Sequence, residues 1–191
     1  YSVSQISAAI RQLGFNEVFE VEQAVDFVKE EYKLKSDEPD SPKPVISSFC
    51  PSVVRLIQVM FPSLTENVFQ LKAPHDIAAI YLRDINSTTN IPPEDIGIFY
   101  ISPCASKIVA AKAPEGEDKS PTDVVVNMKE FYNKVYKRII ELKRIDELKR
   151  SSTMTSDSVK WSLSGTERAY FTRRSLAIAG VENVTKYVEK P

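Results

Sequence analysis

The sequence predicts an α/β fold, with a mostly parallel sheet and flanking helices. Short apolar runs rich in β-branched residues alternate with longer segments whose apolar residues recur every three or four positions. Proline-rich and polar stretches separate these segments. Strands that alternate with helices usually pair in parallel and lie beneath the helices that connect them. We therefore expect an α/β fold with a mostly parallel sheet, and the chain could divide into two sub-lobes, about 1–88 and 91–191.

The first half of the chain is expected to hold most of the helices. Ser4 is the predicted cap of a first helix that Gly14 ends, because the apolar residues between them share one face. Pro51 suits the first turn of a later helix, where the N–H that proline lacks is not needed. The other predicted elements are a strand at Glu17–Val21, a helix around Ala24–Tyr32, a polar loop at Ser36–Lys43, a strand at Pro44–Ser48, an end to the Pro51 helix at Pro62 and a helix at Pro74–Leu82.

The second half contains the strongest strand signal, the apolar run Ile96–Ile101. A long helix is predicted at Met128–Leu148, and we interpret its apolar stripe as core packing rather than as a partner-binding face. The other predicted elements are a proline-containing turn at Ile91–Asp95, a buried strand at Val124–Val126, a polar loop at Ser151–Ser158, a strand at Ser175–Ala179 and a helix at Val181–Glu189.

The composition excludes several classes of protein. The 25 Lys and Arg residues balance 26 Asp and Glu residues, so nothing favours a nucleic acid or an acidic membrane surface as partner. No apolar stretch approaches the ~18 residues of a membrane span, and the N-terminus lacks a signal-peptide pattern. Only two cysteines are present, which favours a reducing cytoplasm over a disulfide-stapled secreted domain. Because the chain starts at Tyr1 rather than Met, we expect an excised piece of a longer polypeptide.

The two cysteines occupy the same kind of position. Cys50 and Cys104 each follow a predicted buried strand, lie beside a proline and precede an apolar helical pattern. The N-terminus of a helix favours the thiolate, which is the form that binds metal. Two thiolates at the carboxyl edge of a sheet could hold a soft metal or an iron–sulfur cluster. Against this, free cysteine often fills space in a core, and two thiols are fewer than the usual four ligands.

The flanking residues add a family resemblance. Ile46–Val54 (Ile-Ser-Ser-Phe-Cys-Pro-Ser-Val-Val) resembles the first active-site motif of iron-only hydrogenases, and Ser102–Lys107 (Ser-Pro-Cys-Ala-Ser-Lys) resembles their second. The flanks are similar as well, at Ala8–Phe19, Phe61-Pro62, Lys72-Ala-Pro74 and Asp95–Ile101. The resemblance is good from about Val3 to Val126 and weak beyond, through Ser164-Gly165. This resemblance implies that the chain is part of the H-cluster domain of that family.

The resemblance implies a ligand set. Cys50 and Cys104 match two ligands of the 4Fe-4S cubane of the H-cluster, and Lys107 matches the lysine that contacts a cyanide on the di-iron subsite. A lysine ammonium suits that role because it donates to a bound anion. The alternative for Lys107 is a solvated surface lysine.

One departure from the family concerns the ligands. The family has a third motif with two more cysteines, but no cysteine follows Cys104 here. We therefore expect a chain truncated before that motif and without an H-cluster, since two thiolates hold a cluster poorly. Its partners would be other domains of the parent chain, ferredoxin-like or sensory ones among them.

A second set of departures concerns proton transfer. Phe49 stands where catalytic members have a relay cysteine, Phe69 where they have a serine, and Ala110 where they have an acidic residue. Ser102 replaces the methionine of the second motif and Val53 the tryptophan of the first. A phenyl ring neither donates nor accepts a proton. The resemblance therefore implies a parent that senses hydrogen or converts it slowly (2 H⁺ + 2 e⁻ to H₂).

Two other functions stay open. One is a non-catalytic iron–sulfur or interaction module that kept the fold without di-iron chemistry. The other is a thiol redox protein, which would need the Cα atoms of Cys50 and Cys104 within ~7 Å of each other.

Overall fold

The computed structural model describes residues 1–36, 42–89, 91–114, 119–142, 159–160 and 174–189. They fall into two compact units. The first holds Tyr1–Glu20 and the described part of Ala79–Met154, and the second holds Val21–Ala78 and the described part of Thr155–Pro191. Each unit is therefore discontinuous in sequence. The cause is the first helix, which packs against a helix more than a hundred residues later.

The structure is rich in helices that flank a small parallel sheet, which confirms the α/β prediction. The α-helices and strands are α1 (Val3–Arg11), α2 (Val25–Ser36), α3 (Pro51–Met60), α4 (Pro74–Ser87), β1 (Phe99–Ser102), α5 (Ala105–Lys112), β2 (Val124–Asn127), α6 (Met128–Leu142) and α7 (Val181–Val188). Short 3-10 helices span Val21–Ala24, Pro62–Asn67 and Pro93–Asp95. Among the described residues, no helix is both long and apolar enough to cross a membrane.

The first unit contains a two-stranded parallel sheet. Phe99 of β1 lies opposite Val124 of β2, and Ser102 lies opposite Asn127. Parallel neighbours need a crossover connection, and α5 lies in it. The strand prediction at Ile96–Ile101 began too early, because the backbone N–H of Ile98 donates to a side chain, the Asp123 carboxylate, instead of to a neighbouring strand.

The core of the first unit lies between α1 and α6. Phe131, Val135 and Ile139 of α6 are buried against Ala9 and Ile10 of α1. The interpretation of this α6 stripe as core is thus confirmed. Burial of such side chains contributes about 1.5–3 kcal/mol each, so this contact is the main stabilising interaction between the two helices.

The cap of α1 differs from the prediction. Ser2, not Ser4, caps the helix: its hydroxyl accepts the Gln5 N–H at 3.2 Å, and the Gln5 side chain accepts the Ser2 N–H at 2.9 Å. This reciprocal capping box satisfies two N–H groups that the first turn would otherwise leave unpaired. Past the helix, Gly14 adopts a positive φ of 100°, a conformation that favours glycine, and it ends the turn as predicted.

The core of the second unit is aromatic. Val28, Tyr32 and Phe69 are buried there, and Phe49 packs against them. The predicted strand at Pro44–Ser48 reduces to one parallel bridge between Ile46 and Val68. The bridge is reinforced from both sides by side chains: Asn67 Nδ2 donates to the Pro44 carbonyl at 2.8 Å, and Ser48 Oγ donates to the Leu71 carbonyl at 3.0 Å.

Two strand predictions were wrong. Glu17–Val21 is irregular and leads into a 3-10 helix, and Ser175–Ala179 is irregular as well. A short apolar run becomes a strand only where a neighbouring segment pairs its backbone groups. The Pro74–Leu82 helix exists and continues to Ser87. Three predicted segments lie wholly or partly outside the described residues: much of the Ser36–Lys43 loop, the Ser151–Ser158 loop and the end of the Met128–Leu148 helix.

Candidate metal centre

Cys104 lies between the end of β1 and the start of α5. Its backbone is extended (φ −99°, ψ 115°), and its carbonyl accepts the Ile108 N–H at 3.3 Å, as a helix N-cap residue requires. Its own N–H donates to the hydroxyl of the fully buried Ser102 at 3.2 Å. The sequence therefore predicted the strand, the cysteine and the helix in the correct order.

Hydrogen-bond donors surround the sulfur of Cys104. Its Sγ lies 3.0 Å from Ser106 Oγ, and the backbone N–H groups of Lys107 and Ser106 point to it. The Ser106 hydroxyl lowers the pKa of the Cys104 thiol, the two N–H groups and the Lys107 charge act in the same direction, and partial burial opposes them. The thiolate is the form that binds metal, so this thiol is suited to be a ligand.

Cys50 occupies the same place on α3 with fewer donors. It is exposed, and its carbonyl accepts the N–H groups of Val53 and Val54 at 2.9 and 3.1 Å. Its side chain makes no capping hydrogen bond, and Pro51 has no N–H to offer. Ser52 stands two residues after Cys50, as Ser106 does after Cys104, but no hydrogen bond joins it to the thiol in the described structure.

The two cysteines belong to different compact units, Cys50 to the second and Cys104 to the first. Both are free thiols. Lys107 lies in the first turn of α5, is half-buried, and carries its charge close enough to lower the pKa of Cys104. The structure thus brings Lys107 and Cys104 together in one turn.

The positions predicted to lack proton-transfer groups are apolar in the structure. The rings of Phe49 and Phe69 both pack against Tyr32, with centroid distances of 5.6 and 5.0 Å. Tyr32 is fully buried. Ala110 is half-buried on α5, and Val53 is half-buried on α3. Phe49 and Phe69, 20 residues apart in sequence, therefore form one aromatic cluster with Tyr32, which we call the Tyr32 cluster (Tyr32, Phe49 and Phe69).

Sequence reasoning missed the group that fixes the start of β1. The Arg83 guanidinium donates to Asp123 Oδ2 at 2.8 Å and to the Ile96 carbonyl at 3.1 Å. The same Oδ2 accepts the Ile98 N–H at 2.7 Å. Burial alone would raise the pKa of Asp123, but the Ile98 N–H and Arg83 together hold it below its ordinary value. No local pattern signals this pair, because its members lie 40 residues apart.

The described residues offer single candidate ligands and do not by themselves form a complete metal site. No group of three or more His, Cys, Asp or Glu that could hold a metal ion occurs in the part of the chain that the structure describes. A 4Fe-4S cluster takes four thiolates. The thiol of Cys104 fits the chemistry of one such ligand, and Cys50 lies at the matching place on its own helix.

Comparison with known families decides what these motifs belong to. A family model described as "Iron only hydrogenase large subunit, C-terminal domain" matches residues 1–189. The chain belongs to this family. Iron hydrogenase 1 of Clostridium pasteurianum is 28% identical over 124 residues, which cover 63% of this chain and 22% of that protein. The NADP-reducing hydrogenase subunit HndD of Solidesulfovibrio fructosivorans is 27% identical over 142 residues, which cover 66% of this chain and 24% of that protein.

Solved structures of iron-only hydrogenases share the fold. A variant of the FeFe-hydrogenase HydA1 from Chlamydomonas reinhardtii superimposes with a TM-score of 0.65 at 24% identity, covering 80% of this chain and 40% of that one. An apo form of another HydA1 variant gives a TM-score of 0.64 at 24% identity, with 80% and 41% coverage. The chain therefore spans less than half of the length of these solved hydrogenase chains. It spans about a quarter of the length of the two curated relatives.

Proposed function

We propose that residues 1–191 are part of an H-cluster domain in which Cys50 and Cys104 are ligands of the 4Fe-4S cubane. The observation that carries this proposal is the setting of the Cys104 sulfur, at a helix N-terminus among donors that favour its anionic form. Membership of the family and the parallel position of Cys50 on α3 support it.

Lys107 is the residue that we assign to the di-iron subsite. When bound, the H-cluster would supply the electron transfer and the hydrogen chemistry. Lys107 follows Cys104 by one helical turn, so its ammonium is available for an anionic metal ligand near that sulfur. In this assignment the lysine binds and orients the subsite and takes no part in proton transfer.

We infer further that the parent protein senses hydrogen or converts it slowly. The Tyr32 cluster supports this inference because it places phenyl rings at two of the positions where catalytic members have relay groups.

The second candidate function is a non-catalytic iron–sulfur or interaction module. The same cluster favours it: an apolar core in place of a proton path is what a domain that kept the fold without di-iron chemistry would have. The two functions differ in whether a mature di-iron site forms and reacts with hydrogen.

The remaining cluster ligands and the partners belong to the proposal as well. The chain spans 22% of Iron hydrogenase 1, so we assign the other two thiolates to the part of the family's domain outside this chain. Ferredoxin-like or sensory domains of the parent protein are the proposed partners. Two free thiols suit a reducing cytoplasm, which we propose as the location.

The test is anaerobic iron–sulfur reconstitution of the full-length parent protein, followed by absorption and EPR spectroscopy. We expect a four-iron cluster in the wild type and its loss in the Cys50→Ala, Cys104→Ala double variant. Ser52→Ala is the control, since its hydroxyl makes no hydrogen bond to the Cys50 thiol in the described structure. A wild type that binds no iron, or a double variant that binds as much, would refute the ligand assignment.

Hydrogen assays then separate the two functions. After maturation with a di-iron site, slow hydrogen oxidation or evolution supports the hydrogenase assignment. A protein that holds the 4Fe-4S cluster but shows neither hydrogen turnover nor a hydrogen-dependent spectral change is the non-catalytic module.

A further inference from the structure

The two cysteine segments differ at one matched pair of serines. Both segments have the pattern Cys-x-Ser at the start of a helix, Cys50-Pro51-Ser52 on α3 and Cys104-Ala105-Ser106 on α5. Only the second serine reaches its cysteine, with Ser106 Oγ 3.0 Å from Cys104 Sγ. Among the described residues, the Cys104 sulfur therefore has a side-chain hydrogen-bond partner and the equivalent Cys50 sulfur has none.

The direction of this hydrogen bond depends on the state of the sulfur. In the free thiol either atom could donate. A metal-bound thiolate has no proton, so the hydroxyl of Ser106 is then the only possible donor of the pair. The backbone N–H groups of Ser106 and Lys107 add two further donors to the same sulfur.

We propose that Ser106 tunes the reduction potential of the cluster, its hydroxyl donating to the Cys104 sulfur and raising the potential. This inference rests on the proposed function, since it needs Cys104 to be a cluster ligand. Reduction adds one electron to the cluster, and part of the added negative charge resides on the ligand sulfurs. A donor aimed at a ligand sulfur therefore stabilises the reduced state more than the oxidised state, and hydrogen bonds to sulfur are a known determinant of cluster potentials.

The side-chain donor is the one that mutation can remove. Backbone N–H groups are fixed by the helix start, where Cys104 is the N-cap residue. Ser106 is half-buried, so water competes only partly for its hydroxyl. Its substitution changes one donor and leaves the cap, the two N–H groups and Lys107 in place.

The experiment compares Ser106→Ala with Ser52→Ala in the full-length, reconstituted protein. Each protein is reduced by dithionite in mediator-buffered steps, each cluster gaining one electron, and EPR measures the reduced fraction. We expect a more negative midpoint potential for Ser106→Ala and an unchanged one for Ser52→Ala. Ser106→Thr, which keeps the hydroxyl, should restore most of the difference.

The possible outcomes are distinguishable. A normal cluster content in Ser106→Ala with an unchanged potential overturns this inference and leaves the proposed function intact. Equal negative shifts in both serine variants overturn it as well, because Ser52 makes no hydrogen bond to Cys50 in the described structure. A wild type without any cluster refutes the proposed function, and this inference with it.

A cluster-free measurement guards against a variant that fails to assemble. In the Cys50→Ser background, Cys104 is the only thiol of this chain, and iodoacetamide reports its thiolate content at a fixed neutral pH. Loss of the hydroxyl donor should slow alkylation several-fold in Ser106→Ala, and Ser106→Thr should recover it. An unchanged rate would show that the hydroxyl does not contact the sulfur and would overturn the inference.

Discussion

The ring of Phe69 meets the ring of Tyr32 edge-on, with the centroids 5.0 Å apart and the planes at 66°. Phe69 is 8% exposed and Tyr32 is fully buried, so this pair forms the centre of the second unit. Edge-to-face aromatic pairs add about 0.5–1.5 kcal/mol beyond the burial of their area. Phe69, at the position where the family resemblance predicts a serine, is thus part of the core in this chain.

Phe69→Ala should destabilise the protein by about 3–5 kcal/mol, because it removes a buried ring and leaves a cavity beside Tyr32. Urea unfolding measures the change. Leu34→Ala on α2 is the control, because Leu34 is 70% exposed and should cost less than about 0.5 kcal/mol. Similar losses in both variants would contradict the assignment of Phe69 to a packed core.

The cap of α1 offers a second test. Ser2→Ala removes the acceptor for the Gln5 N–H and should lower the free energy of unfolding by about 1 kcal/mol. Ser4→Ala should cost less, since among the described residues the Ser4 hydroxyl forms a hydrogen bond only with the Ser2 hydroxyl, at 2.8 Å, and caps no backbone N–H. Thermal unfolding of the two variants compares them, and a larger loss in Ser4→Ala would favour the cap predicted from sequence.

The difference between Ser2 and Ser4 illustrates what the sequence can and cannot specify. Local chemistry predicted the helix, its apolar face and its end at Gly14, because these depend on neighbouring residues. The choice between two nearby serines depends on which one the Gln5 side chain can reach back to. The sequence pattern allows both.

For the candidate site too, the sequence predicted the local elements and did not predict the side-chain contacts. The motif around Cys104 specified the strand, the helix start and the nearby Lys107. The Ser106 contact depends on a side-chain rotamer, and the Tyr32 cluster depends on packing between segments distant in sequence. The strand predicted before Cys50 failed for a related reason, since only Val68 pairs with Ile46 there. A local sequence pattern does not reveal which distant segment a strand will pair with.

The Arg83–Asp123 pair predicts a stability change in acid. The folded-state pKa of Asp123 lies below its ordinary value, so its contribution to stability is fully present above the unfolded pKa, about 4. That contribution is lost as the pH falls through the lower, folded pKa. We therefore expect part of the wild-type loss of stability below about pH 4 to be absent from Asp123→Asn.

At neutral pH the same substitution should cost about 1–2 kcal/mol, because Arg83 and the Ile98 N–H lose a charged partner that is only partly exposed. Urea midpoints measured from pH 3 to pH 7 provide both comparisons. Glu141→Gln is the control, since it breaks the exposed pair with Arg138 and should cost under about 0.5 kcal/mol. Parallel pH curves for the wild type and Asp123→Asn would contradict the lowered pKa.

The last prediction concerns the thiol of Cys104. Its pKa is lowered by the Ser106 hydroxyl first and by the neighbouring N–H groups and Lys107 next, against partial burial. In the Cys50→Ser background, the alkylation rate plotted against pH should therefore have its midpoint below that of an unstructured cysteine peptide measured in parallel. Lys107→Gln removes only the charge and should raise the midpoint less than Ser106→Ala does, because the charge is the smallest of these contributions. A midpoint at or above that of free cysteine would mean that burial outweighs the donors, and the sulfur would then lack the preformed thiolate character on which its assignment as a ligand depends.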